Sequence, residues 1–290
     1  YPSTLVNASH EVLEGRGIGA LPTLAGAGLL YPGLERLCVR SSERTSSEGA
    51  SLEALVKSGA SHSLRALEVC DGGVLLESLS PLHECTHLES LELGKRAFGA
   101  RGGGLEPVRD PMQENILAML EAMDEVAWTH LGFGGLLTLE IPEIHARFRA
   151  RLEDMSTLGH LDVRDCCTET GVLARLFDGA NLEGLRFLDW SRNGLDMGDI
   201  EALTATLCDR PAILDLSGCD MDDDKLERFL EGIGAHLKGI SIHDNPSITA
   251  RGYKNLWSYV HEHEVRVIGV DLTGAARKAL KSRASPLDGL

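Results

Sequence analysis

The segment GLRFLDWSRNGL, residues 184–195, sets Leu185, Leu188 and Trp190 ahead of Asn193 and Leu195, and the same spacing returns along the chain. GHLDVRDC carries Leu161, Val163 and Cys166 in the equivalent places, AILDLSGC carries Leu214, Leu216 and Cys219, and KGISIHDN carries Ile240, Ile242 and Asn245. A looser last copy has Ile268, Val270 and Thr273. Units starting at 158, 185, 211, 237 and 265 are separated by 27, 26, 26 and 28 residues. A unit of that length cannot bury its own apolar face, so the units must stack and share one continuous core.

Each unit reads as a short strand followed by a helix. Alternate strand residues face opposite ways, which sends Leu188 and Trp190 into the core and leaves Arg186 or Phe187, Asp189 and Ser191 on the other face. The chain then turns sharply and leaves backbone groups where water cannot reach them. An asparagine amide both donates and accepts, so Asn193 and Asn245 are expected to satisfy those groups between coils, with Cys166, Cys219 and Thr273 doing part of the same job. The apolar residues Ile144, Phe148 and Leu152, then Ile200, Leu203 and Leu207, then Leu226, Phe229, Leu230 and Ile233, then Tyr253, Leu256 and Val260 recur at helical spacing. PMQENILAMLEAMDEV, with Pro111 suited to a first turn, predicts another helix.

Upstream, LERLCV, LRALEV, LESLEL and WTHLGF place the same template at Leu34, Leu64, Leu88 and Trp128, with irregular steps of 30, 24, 40 and 30 residues to the unit at 158. On these residues the chain resembles the leucine-rich repeat family, LxxLxLxxN/CxL, and in the length of its units the ribonuclease-inhibitor-like branch. The resemblance covers roughly residues 34–275 and is strongest from 158 to 250. It implies an α/β solenoid, with a curved parallel sheet on the concave side and helices on the convex side. Residues 1–33 and 276–290 then read as caps or tails at the two ends of the array.

The formal charge of −16 disfavours nucleic acid or an anionic membrane as the main partner and suits a basic protein surface. No apolar run is long enough to span a membrane. Seven cysteines, an odd number with two at the ladder position and no CxxC pair, suggest buried reduced thiols in an intracellular, cytoplasmic protein. The central outward position of successive strands falls on Cys38, Glu68, Glu92, Gly132, Asp162, Asp189, Asp215, Ser241 and Gly269. Three consecutive aspartates about 4.8 Å apart form a ladder of like charge, for which folding alone offers no reason. Arg164, Arg186 and Arg192 lie near enough to soften it. The candidate partner-binding residues are therefore Glu68, Glu92, Asp162, Arg164, Arg186, Phe187, Asp189, Ile213, Asp215 and His243.

GKRAFGARGGGLEPVRD, near residues 94–110, interrupts the array with Lys95, Arg96, Arg101 and Arg109 among five glycines and reads as a basic surface loop that extends the binding face. HECTH, at His83, Cys85 and His87, and HEHE, from His261 to Glu264, hold metal-ligand residue types without metalloprotease spacing. GRGIG, at Gly15, Gly17 and Gly19, lacks the helix and acidic residue of a dinucleotide site. No catalytic, cofactor or metal residues are assigned. The expected function is non-catalytic recognition of another protein on the concave face. The family resemblance also includes GTPase-activating proteins of the Ran type and bacterial ubiquitin-ligase effectors, and a structural subunit of a large assembly is a third reading.

Overall fold

In the computed structural model, residues 12–16, 33–40, 52–70, 79–94, 111–180 and 182–270 are described. Ten strands lie side by side in sequence order, and each pairs in parallel with its neighbours. They are β1 (Val12–Arg16), β2 (Arg36–Arg40), β3 (Ala66–Cys70), β4 (Ser90–Gly94), β5 (His130–Gly132), β6 (His160–Asp162), β7 (Phe187–Asp189), β8 (Ala212–Asp215), β9 (Leu237–Ser241) and β10 (Arg266–Gly269). Seven α-helices accompany them among the described residues: α1 (Glu53–Lys57), α2 (Pro111–Ala122), α3 (Pro142–Leu152), α4 (Val172–Phe177), α5 (Met197–Leu207), α6 (Asp223–Ile233) and α7 (Ala250–His263). An unclosed parallel sheet whose coils alternate with helices is the leucine-rich repeat solenoid that the spacing implies.

The helices keep their apolar positions inside. Ile200, Leu203 and Leu207 of α5, and Leu226, Phe229, Leu230 and Ile233 of α6, join the core behind β7 and β8. Between β2 and β4 the described helical elements are five-residue α1 and 3-10 turns at Ala60–His62 and Ser80–Glu84. A strand that the template does not mark, β1, pairs residue for residue with β2, Glu14 opposite Cys38. Of the three apolar template positions only Leu13 survives there, since His10 and Gly15 take the others.

The interior ladder is regular. Asn193 Nδ2 donates to the Val163 and Trp190 carbonyls at 2.8 and 2.9 Å, and its Oδ1 accepts from the backbone N–H of Cys166 and Cys167 at 2.7 and 2.8 Å. Asn245 repeats this two coils further on, donating to Leu216 and Ile242 and accepting from Cys219 and Met221. The alternate rungs use thiols: Cys166 Sγ donates to Phe133 O at 3.5 Å and Cys219 Sγ to Trp190 O at 3.3 Å. Burial pushes both thiols up to about 12, so they remain protonated donors. The residue before each rung, Asp165, Arg192, Gly218 or Asp244, has φ between 54° and 66°, the left-handed turn that swings the chain off the strand. Thr273, the last expected rung, lies outside the described residues.

A second set of polar staples, unmarked by the repeat template, ties the helix starts together. Asp199, fully buried, accepts from Asp196 N–H in its own coil and from Gly171 and Ala174 N–H at the start of α4 in the preceding one. Asp223 reaches the other way, to Thr249 and Gly252 N–H around the start of α7. Carboxylates at helix N-termini satisfy donors that have no partner within the helix. Part of the chain's acidity is therefore structural.

The last copy of the template differs from its reading. Val267, not Ile268, pairs with Ile240, and the register slips between Val267 and Gly269. This bulge puts Ile268, expected in the core, 54% exposed.

Candidate functional site

The open face of the sheet carries two outward columns. The pairing runs Cys38, Glu68, Glu92, Gly132, Asp162, Asp189, Asp215, Ser241, Gly269, in the order read from the template. Two residues earlier on each strand runs a second column that includes Ser90, His130, His160, Phe187, Ile213 and Gly239. His130 and His160 stack with ring centroids 3.8 Å apart, and His160 stacks on Phe187 at 4.2 Å. A stack at adjacent-strand spacing is favoured because flat rings fill the narrow gap between coils. These rings are contributed from positions 27 to 30 residues apart. Only alignment of the column, and not any local motif, could have revealed the stack.

The aspartates have a structural task after all. Asp162 Oδ1 accepts from Arg164 N–H, Asp189 Oδ1 from Ser191 N–H and Asp215 Oδ1 from Ser217 N–H, each at 3.0 Å. Each carboxylate therefore holds the start of its own turn, as aspartate does when it binds the backbone two residues on. Asp162 is only 2% exposed and Asp189 7%, so although they point outward they are covered by their neighbours.

Arg164 completes that cover. Its guanidinium pairs with Asp162, lies 3.5 Å from Glu92 and 3.8 Å from Asp189, and so spans carboxylates from β4, β6 and β7. Two glycines in the intervening coil make room. A β-carbon at Gly132 would overlap the Glu92 carboxylate, and one at Gly134 would sit 2.9 Å from the Arg164 side chain. Glu92 is further held by His130 Nε2 at 2.8 Å. Burial, with Asp189 beside it, raises Asp162 to about 7 against the pull of Arg164, and burial raises Asp189 as well. Burial and the neighbouring His130 push His160 down to about 4. The expected repulsive ladder is thus compensated from β4 to β7.

Beyond β7 the strip changes. Asp215 is half-buried and, among the described residues, has no cationic partner. Arg186 is exposed but folds back to donate to the Glu183 and Leu185 carbonyls, at the entry to β7 and off both columns. His243 Nδ1 lies 2.7 Å from Ser217 Oγ and 3.1 Å from Ser241 Oγ, which closes a small polar cluster. Ile213 and Ile268 meet across Gly239, whose β-carbon would lie 3.3 and 3.1 Å from them. Glu68 lies on β3, half-buried and directly opposite Glu92 in the register. The structure therefore brings Glu92, Arg164, Asp162 and Asp189 into one closed cluster, and Phe187, Ile213, Asp215 and His243 into a more open one.

Other sequence candidates fall differently. Cys85 is buried in the core while His83 and His87 are exposed, and His261 to Glu264 form the end of α7 and the residue after it. The Gly-rich loop at 95–110 and the chain ends 1–11 and 271–290 lie outside the described residues. Among the described residues no helix is long and apolar enough to cross a membrane.

No family model matches the sequence, and no curated sequence resembles it closely enough to carry an assignment. Solved structures do resemble the fold. Rad7, in the yeast Rad7–Elc1 complex, superposes with a TM-score of 0.51 at 14% identity over 86% of this chain and 64% of that one. The chain thus spans just under two thirds of that protein's length. The leucine-rich repeat-containing protein LegL7 from Legionella pneumophila gives a TM-score of 0.48 at 13% identity, covering 84% of this chain and 77% of LegL7. At such identities the likeness concerns the fold, and the fold is that of leucine-rich repeat proteins.

Proposed function

We propose that the chain is a non-catalytic module that recognises another protein on the open face of its sheet. The observation that carries this reading is the outward column His130, His160, Phe187 and Ile213, a half-buried ridge of rings and aliphatic surface beside a charged column on the same rigid strands. An apolar centre with a polar margin is how recognition surfaces are built, and large ordered side chains on a rigid frame cost little entropy to bury. Rad7, of the same fold, is seen bound to another protein, which is in keeping with this reading. The acidic strip favours a partner with a basic surface. Of the three aspartates of the ladder, Asp215 is the one that offers accessible charge, since Asp162 and Asp189 are occupied with Arg164 and with their own turns.

Affinity capture from the native cell extract tests the proposal. Parent protein is compared with Phe187→Glu and Ile213→Glu on the open face and with Glu201→Lys on the convex side, after thermal unfolding shows that all four fold. Partners retained by parent and Glu201→Lys but lost by both face variants are expected. Equal retention by all four overturns the open-face site.

A further inference from the structure

We infer that the docking patch is the β7–β10 part of the face, and that its occupant is a protein segment presenting a lysine or arginine about 6–7 Å from an aliphatic or aromatic side chain. The inference rests on the proposed recognition function and narrows it to one patch and one partner chemistry.

The two ends of the strip differ in what remains to be bound. At the β4–β7 end, a guanidinium already lies among the carboxylates: Arg164 faces Glu92, Asp162 and Asp189. Its reach stops there. Asp215 sits on the next strand, about 4.8 Å further along the sheet, with Oδ1 engaged by Ser217 N–H and no cation among the described residues. Arg186, at the entry to the preceding strand, is turned onto its own loop, and Arg192 makes no ion pair with Asp215 among the described residues. The same internal chemistry that closes one end therefore shows what completes the other: a cation brought from outside.

The apolar half of the patch is as specific. Gly239 leaves a gap on β9 that the side chains of Ile213 and Ile268 flank, and Phe187 continues the surface one strand back. Ile268 reaches this face because the β10 register slips around it, and a bulge that turns a large apolar side chain outward at 54% exposure costs stability unless something covers it. Ile213 and Asp215 are two residues apart on β8, so their side chains stand roughly 6–7 Å apart. A strand with apolar and basic residues at i and i+2, or a helix with them at i and i+3 or i+4, matches that separation.

The test selects a phage-displayed library of linear twelve-residue peptides on the immobilised parent protein, then measures the affinity of the best peptide for parent, Asp215→Asn and Ile213→Glu by fluorescence anisotropy. Asparagine keeps an oxygen for Ser217 N–H, so Asp215→Asn removes the charge and leaves the turn. Selected peptides are expected to carry Lys or Arg at the stated offsets from Leu, Ile, Phe or Met. Their affinity is expected to fall at least about tenfold with each variant, and parent binding to weaken between 50 and 500 mM salt far more than Asp215→Asn binding. Peptides without a basic residue that are still lost with Ile213→Glu overturn this inference and leave open-face recognition standing. A library yielding no peptide sensitive to either substitution overturns the patch, while the capture experiment judges the wider proposal separately.

Discussion

The interior ladder and the outer acidic strip are both columns of polar residues repeated once per coil, yet they are held in different ways. Asn193 joins two coils with four hydrogen bonds and is buried. Asp189, the outward residue of the same unit, accepts from its own turn and leans on an arginine from the preceding coil. Repetition thus marks two kinds of necessity: one between coils, and one within a turn that leaves a carboxylate oxygen for something else. What separates them is whether every donor and acceptor finds its partner inside the chain. By that measure the ladder is complete, the β4–β7 end of the strip is nearly so, and Asp215 is not.

The ladder should be the costliest place to break the comparison. Asn193→Ala removes four hydrogen bonds and leaves buried backbone groups of two coils without partners, so a loss of roughly 2–4 kcal/mol is expected in urea unfolding. A loss no larger than that of an exposed substitution would show that water replaces the amide. Arg164→Ala comes next. It leaves Asp162 and Asp189 facing each other with no cation, and at pH 8 a loss on the order of 1 kcal/mol is expected, discounted because the guanidinium is itself half exposed.

The same cluster should reveal itself through pH. Asp162 is raised to about 7, above its unfolded value, so its contribution is fully present at low pH and is lost as pH rises through about 7. His160 is lowered to about 4, so its contribution is present above its ordinary range near 6.5 and lost as pH falls toward 4. The two slopes oppose each other between about pH 4 and 6.5, and only that of Asp162 remains from there to pH 8. Asp162→Asn abolishes it, so the stability difference between variant and parent should shift in favour of the variant between pH 6 and 8, measured by urea unfolding at each pH. A difference independent of pH would mean that Asp162 titrates as an ordinary carboxylate. The smallest effect belongs to Asp215→Asn, expected to change stability by less than about 0.5 kcal/mol while it weakens binding.

How far these distinctions were legible depends on the range of the interaction. The register of the sheet followed from single residues such as Leu161, Leu188 and Leu214, because each must face the core and a slip of one residue would turn it out. Asn193 and Asn245 were legible for the same reason: a recurrent amide behind a strand has one obvious use. The turn-holding role of Asp162, Asp189 and Asp215 was missed. Reading across the strands suggested repulsion, while the decisive bond runs along the chain to the residue two further on. Arg164 was read as a nearby softener, but its span across Gly132 and Gly134 depends on glycines 30 and 32 residues upstream, a relation no local pattern carries. The slip at Ile268 was hidden because Val267 and Ile268 are equally apolar, so the template could not choose between them.

The most direct measurement is a methyl spectrum of protein labelled at the isoleucine Cδ1 positions, recorded with and without the captured partner. Shifts in the Ile213 and Ile268 signals, with the core Ile144 and Ile200 signals unmoved, are the expected result. Partner binding that leaves Ile213 and Ile268 unchanged would contradict the account and place recognition elsewhere on the solenoid.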